Sequence, residues 1–363
     1  MTNTSAKELV EALRSHNLAR IKAILRRDPA GARSPRPVIE AGRLAWKSAL
    51  GLLVRNGADI NASARGYRPL HSLIQEKPHG ERAEELRSRV ACLKWMLARG
   101  ADPELLGAFP PTRAIVTAAF TGVPAYVAEI RKAGAVVDGF VAAALGDIKR
   151  VERALSKDAA FAVAKDPGGL TALHCCAGSR LGRKNPRVQS ALLKIGQLLI
   201  DHGADVNARV RAWSGDVDVA YFAISCGQRQ LFELLLEHGL DATAALKSAV
   251  WGYKMELADL CIAHGAEIDR AMDDGKPLLN QLIRWGQMRQ ALWLLSRGAS
   301  PNRADGRGWT AVHQAASRGS ENMLKAVLRA GGDPKPRAKN GDTPLEIAEE
   351  RGRPKIIALL RSS

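Results

Sequence analysis

Leu52-Leu53-Val54-Arg55-Asn56-Gly57-Ala58-Asp59-Ile60-Asn61 reads as an apolar helix end, a glycine that stops it, and a short polar turn. The phrase returns as Leu198-Leu199-Ile200-Asp201-His202-Gly203-Ala204-Asp205-Val206-Asn207, and variants surround Gly100, Gly134, Gly239, Gly265, Gly298 and Gly331. Gly265, Gly298 and Gly331 are spaced by 33 residues. A fixed period of roughly 20 to 50 residues marks a stacked array, because each unit is too small to bury its apolar face alone. A second phrase lies 21 residues ahead of the glycine: Thr310-Ala311-Val312-His313 before Gly331, Arg36-Pro37-Val38-Ile39 before Gly57, and Arg113-Ala114-Ile115-Val116 before Gly134.

Between these phrases run Asp305-Gly306-Arg307-Gly308-Trp309-Thr310-Ala311-Val312-His313-Gln314-Ala315-Ala316, then Gly319, then Ala326-Val327-Leu328-Arg329-Ala330-Gly331-Gly332-Asp333. The whole closely resembles the ankyrin repeat, a turn followed by two helices. The resemblance extends over roughly residues 5–363. It implies an all-α stack of helix pairs joined by short hairpin turns, and a family that binds other macromolecules and shares no catalytic residues.

The period places the units. Residues 1–34 form an amino-terminal cap, 35–334 the repeats, and 335–363 a carboxyl-terminal cap repeat, giving one array of ten helical pairs with the caps included. In the second unit, Ala45, Ala49, Leu50, Leu52 and Leu53 form the apolar stripe of the second helix. Arg68-Pro69-Leu70-His71 and Thr171-Ala172-Leu173-His174 reach their glycines only after 32 residues, so each unit carries an 11-residue insertion between its helices, near 76–90 and 177–190. Insertions in such arrays project on one face and either bind or remain plain surface loops. Short steps, from Gly122 to Gly146 and from Gly239 to Gly265, predict that the turn row is interrupted near residues 138 and 242.

With 46% apolar residues there is ample material for a core, and no run of 18 uncharged apolar residues predicts a membrane span. The amino terminus lacks the basic start and continuous apolar run of a secretory signal. The cysteines Cys92, Cys175, Cys176, Cys226 and Cys261 show no paired framework, which reads as buried thiols in a reducing compartment; a cytoplasmic location and a monomer are expected. Against 37 acidic residues stand 54 lysines and arginines, a net charge of +17. Such a field attracts nucleic acid, an acidic protein face or anionic lipid, or is simply a solvated surface.

No catalytic constellation is expected. HExxH, G-x-S-x-G and P-loop patterns are absent. Cys175 and Cys176 beside His174 occupy the small-residue positions of a tightly packed first helix, and His71, His174 and His313 fall a repeat apart, too far to share a metal ion. No cofactor is called for. Partner contacts are expected at the turn tips just before the tetrads: Arg65 and Tyr67, Arg307 and Trp309, Lys339 and Asn340, with Arg209, Arg211 and Trp213 in a less regular turn of the same row. Aromatic and arginine side chains supply most interface hot spots, although each tryptophan could equally cover the gap between adjacent turns. Trp285 reads as packing between units, whereas Trp251 is either packing or groove lip. The expected function is a non-enzymatic scaffold whose concave face takes a protein partner with an acidic or mixed surface. The alternative is a basic array that binds nucleic acid or another polyanion.

Overall fold

The computed structural model describes residues 4–76, 83–212, 215–270 and 275–363. These form two compact units, residues 1–238 and 239–363. The first holds seven helix pairs: α1 (Thr4–Arg14) with α2 (Leu18–Arg27), α3 (Pro35–Arg43) with α4 (Lys47–Arg55), α5 (Pro69–Gln75) with α6 (Ala83–Leu97), α7 (Ala114–Thr121) with α8 (Pro124–Lys132), α9 (Gly139–Leu145) with α10 (Ile148–Lys157), α11 (Ala172–Gly178) with α12 (Pro186–Asp201), and α13 (Val219–Cys226) with α14 (Arg229–Glu237). The second holds four: α15 (Ala242–Trp251) with α16 (Met255–Ala263), α17 (Leu278–Trp285) with α18 (Met288–Ser296), α19 (Ala311–Arg318) with α20 (Glu321–Arg329), and α21 (Pro344–Glu350) with α22 (Pro354–Arg361). Eleven pairs therefore stand among the described residues, one more than the ten expected. The short steps conceal the difference, since a unit without its turn still contributes both helices.

First helices pack on first helices, α1 on α3 on α5 on α7 on α9 on α11 on α13 in one unit and α17 on α19 on α21 in the other. The apolar stripes explain this order. Leu9, Val38, Leu73, Ile115, Val141, Leu173 and Phe222 are buried along the first row, as are Leu279, Val312 and Ile347 along the second. Ala45 lies outside α4, in the interhelix turn with φ of 51°, so the stripe starts at Ala49.

Each recurring residue has a distinct task. Gly298 takes φ of 88°, the left-handed conformation that ends a helix without a Cβ clash. Ala299 behind it is buried. The aspartate of the phrase accepts from the amide two residues on, as Asp59 does from Asn61 N at 2.8 Å and Asp205 from Asn207 N at 2.8 Å, which closes the turn locally. The asparagine reaches forward. Asn61 Nδ2 donates to Gly100 O at 2.8 Å while its Oδ1 accepts from Asp102 N at 2.8 Å.

The tetrads start the first helices. Thr171 Oγ1 accepts from His174 N, and Thr171 N donates to His174 Nδ1 at 3.2 Å, so both orphan amides are satisfied. Thr343 and Glu346 repeat the reciprocal pair. His71 Nε2 donates to Thr112 O at 2.9 Å and His313 Nε2 to Asp342 O at 3.3 Å, tying each helix start to the following turn. His202 and His238 instead bond their own helix ends, Leu198 O at 2.8 Å and Leu234 O at 2.9 Å.

Both insertions lengthen the second helix, to 15 residues in α6 and 16 in α12. The basic one is anchored, because Arg180 donates to Ser225 O at 3.0 Å and Arg183 to Cys226 O at 3.2 Å. Part of the other, residues 77–82, lies outside the described residues. At the short steps an aspartate starts the helix directly: Asp138 accepts from Val141 N at 3.0 Å, and Asp241 from Ala244 N at 3.0 Å. Among the described residues β pairing occurs at Ala64–Tyr67, Gly107–Thr112, Lys165–Thr171 and in a hairpin of β1 (Arg209–Ala212) and β2 (Gly215–Asp218), and none falls at the two short steps.

Candidate functional site

The tips are placed by backbone and display side chains. Ala64 and Tyr67 exchange two backbone hydrogen bonds of 3.0 Å, which forces Arg65 to φ of 51° and leaves both Arg65 and Tyr67 in solvent. Tyr67 rests edge-on against Phe109, with ring centres 5.4 Å apart. Both residues border a cleft of about 740 Å³ walled by α1 and α3, where Lys7, Arg14 and Arg36 alternate with Glu11 and Glu40. That cleft is of mixed charge. In the β1–β2 hairpin, Val210 and Ala212 point inward while Arg209 and Arg211 face solvent, Arg211 lying 3.5 Å from Asp216 across the ladder. Trp213 lies outside the described residues.

In the carboxyl-terminal unit the tips are joined. Lys339 N donates to Arg307 O at 2.8 Å, so the tip carrying Lys339 and Asn340 sits directly beside that of Arg307 and Trp309. Asp305 organises the turn from beneath. Its buried carboxylate accepts from Arg307 N at 2.8 Å, Trp309 N at 3.1 Å and the Arg307 guanidinium at 2.9 Å. Burial alone would raise its pKa, but the bonds from Arg307 outweigh burial and hold the carboxyl below its usual range. The Arg307 guanidinium lies 4.4 Å from the centre of the Trp309 ring, which in turn stacks on His313 at 5.9 Å. Trp309 is thus half-buried and engaged, serving both as gap cover and as exposed edge.

Behind these tips opens a cleft of about 580 Å³ that the tip residues alone do not define. Arg284 from α17, Arg318 from α19, and Arg351 and Arg353 from the turn after α21 line it together with Arg307, Trp309, Gln314 and Ser317. Arg318 donates to Arg284 O at 3.0 Å. A Cβ on Gly286 would fall on the Arg318 guanidinium, and one on Gly319 would come within 2.9 Å of Arg353 Cδ, so the bare glycines give these side chains their seats. Trp285 is 65% exposed, against the expectation of packing, because it stands at the last residue of α17 with Arg284 rather than a neighbouring helix over its ring.

The remaining reactive side chains are structural. All five cysteines are buried and none forms a disulfide among the described residues, and burial pushes the Cys176 thiol up to about 12 and the Cys175 thiol well above its ordinary value. Burial likewise lowers His174 to about 4, leaving a neutral ring occupied with its helix cap. Among the described residues no group of three or more His, Cys, Asp or Glu side chains is placed to hold a metal ion. No described helix is long and apolar enough to cross a membrane.

A family model of ankyrin repeats in three copies matches residues 279–363, and a single ankyrin repeat matches residues 168–211. Residues 168–211 and 279–363 are ankyrin repeats. It is similar to an ankyrin repeat-containing protein of Treponema pallidum, 37% identical over 87 residues, which are 24% of this chain and 29% of that protein. Identity to cyclin-dependent kinase 4 inhibitor B of Bos taurus is 40% over 84 residues, 23% of this chain and 64% of the relative. With the B-cell lymphoma 3 protein homolog of Mus musculus it is 25% over 217 residues, 58% of this chain and 38% of the relative. The match thus spans less than two thirds of each relative's length.

The ankyrin-repeat fold is a non-catalytic scaffold that generally mediates protein–protein interaction. In this ankyrin-repeat protein the tip residues were legible from their motif position, whereas Arg284, Arg318, Arg351 and Arg353 were not singled out. A signal was present, since Gly286, Gly319 and Gly352 recur every 33 residues and an arginine stands one or two residues before each. Such residues read first as cations complementing a helix end; only stacking shows that they converge.

Proposed function

We propose that the chain is a non-enzymatic scaffold that captures a protein partner on the turn tips and the adjoining first-helix side of its repeats. One observation carries this reading: the tip backbones satisfy one another, as Lys339 N does with Arg307 O, while Arg307, Lys339 and Asn340 stay exposed beside Trp309. A surface preorganised in this way loses little conformational freedom on binding. The similarity to a kinase inhibitor, whose name describes action on another protein, supports the same reading.

The net charge of +17 favours a second reading, an array that binds nucleic acid. Base stacking would need a free aromatic face, and Trp309 is already covered by Arg307 and stacked on His313. Capture from native lysate, with and without nuclease, tests the two. A protein band that survives nuclease and is lost with Tyr67→Ala, Arg307→Ala and Trp309→Ala combined, at nearly unchanged melting temperature, is the expected result. Nucleic acid that elutes with a steep salt dependence would replace the scaffold reading by the second.

A further inference from the structure

The geometry points to a specific anion site in the carboxyl-terminal unit: the cleft formed by Arg284, Arg307, Arg318, Arg351, Arg353 and Trp309 receives an acidic segment of a protein partner, a run of Asp and Glu side chains. This deepens the scaffold reading and rests on it. Five guanidiniums from successive units line one cleft of about 580 Å³, and no carboxylate is part of its wall. Asp305 neutralises Arg307 alone. Arg284, Arg318, Arg351 and Arg353 have no carboxylate within ion-pair distance among the described residues. Four unpaired cations held together repel one another, and an anion placed among them relieves that repulsion.

The kind of anion follows from the lining. Every cation is an arginine, whose planar fork matches carboxylate oxygens bidentately, and no lysine takes part. A small organic anion would need apolar walls to bury most of its surface, and Trp309 is the one aromatic wall here. A nucleic-acid strand would need an extended basic track and free rings, whereas the arginines are gathered in one cleft and the Trp309 ring is occupied. The cleft adjoins the tips through Arg307 and Trp309, so a chain crossing the tips can lower its acidic side chains into it.

The seats are built rather than accidental. Arg318 is held over Gly286 by its bond to Arg284 O, and Arg353 lies against Gly319. At Arg318 the bond fixes a planar guanidinium, which a lysine, a point charge on a flexible stem, would not reproduce.

The test uses the purified full chain and a fluorescein-labelled peptide of eight alternating Asp and Glu residues, read by anisotropy at low and physiological salt. Arg351→Glu, at an exposed site, is expected to weaken binding at least about tenfold with the thermal melt unchanged. Arg318→Ala should weaken it too. Arg55→Glu, which changes the net charge equally in the other unit, should leave it within about twofold. Equal losses in Arg55→Glu and Arg351→Glu, or no binding by the parent chain, would overturn the site, as would a single-stranded oligonucleotide that binds more tightly and displaces the peptide. Lysate capture by a parent chain that does not bind the peptide removes the cleft and leaves the scaffold reading standing; absence of any captured protein removes the scaffold reading itself.

Discussion

Asn302 Nδ2 and Gly331 O, 29 residues apart in the chain, share a hydrogen bond of 2.9 Å, and Asn302 Oδ1 accepts from Asp333 N at 2.8 Å. The same pair of hydrogen bonds joins Asn61 to Gly100 and Asp102. One side-chain amide thereby links the turn of one unit to the helix end of the next.

Asn61→Ala and Asn302→Ala should each lower stability by about 1–2 kcal/mol, since two exposed hydrogen bonds are lost without a cavity. Chemical denaturation would show a lower midpoint. Wild-type midpoints in both variants would mean that water replaces the amide at no cost.

Acid should weaken the protein before its carboxylates titrate. Burial lowers His71 and His174 to about 4, below the ordinary value near 6.5, so the unfolded chain binds more protons between those values. Their contribution is complete above pH ~6.5 and is lost as the pH falls toward ~4, at about 1.4 kcal/mol per pH unit for each ring. Protonation also places a second hydrogen where His174 Nδ1 accepts from Thr171 N. Urea midpoints at pH 7.5, 6.0 and 5.0 should fall steadily; a level series refutes the assignment.

Thiol labelling offers a third check. Cys175 and Cys176 are fully buried and burial disfavours both thiolates, so alkylation under native conditions should be slow and should follow unfolding. Rapid native labelling of either would contradict their placement in α11.

The two short steps differ in what their aspartates hold. Asp138 starts α9 and also pairs with the buried Arg113 at 2.7 Å, whereas Asp241 starts α15 and pairs with the exposed Arg270 at 2.6 Å. Asp138→Ala should therefore cost about 3 kcal/mol and Asp241→Ala about 1 kcal/mol. Equal melting shifts in the two variants would show that Arg113 finds full compensation from Glu104, 3.5 Å away.

What could be read from the residues was what is local. Gly57, Gly203 and Gly298 announce their helix ends because glycine takes a positive φ without a Cβ penalty, and Thr171 and Thr343 announce helix starts through the amides they cap. The number of pairs was misjudged where Asp138 and Asp241 replace a whole turn, so that the period shortens without a helix being lost. Arg307 and Trp309 were legible from their place before a tetrad. The arginine cleft was not, because Arg284, Arg318 and Arg351 each look like an ordinary helix-end cation until units are stacked. Trp285 misled for the opposite reason: a large ring suggests a core, but its position at the end of α17 leaves no neighbour to receive it.

The bare seats beneath two of these arginines make a claim about descent. Any side chain at Gly286 displaces Arg318, and any at Gly319 displaces Arg353. Each glycine also ends its helix at positive φ, so the arginine adds a second reason for keeping it, and joint inheritance of the two is the expected outcome. In an alignment of orthologues they should be kept or lost together, Gly286 with Arg318 and Gly319 with Arg353, and lineages that have abandoned the arginine should tolerate asparagine where the glycine stood.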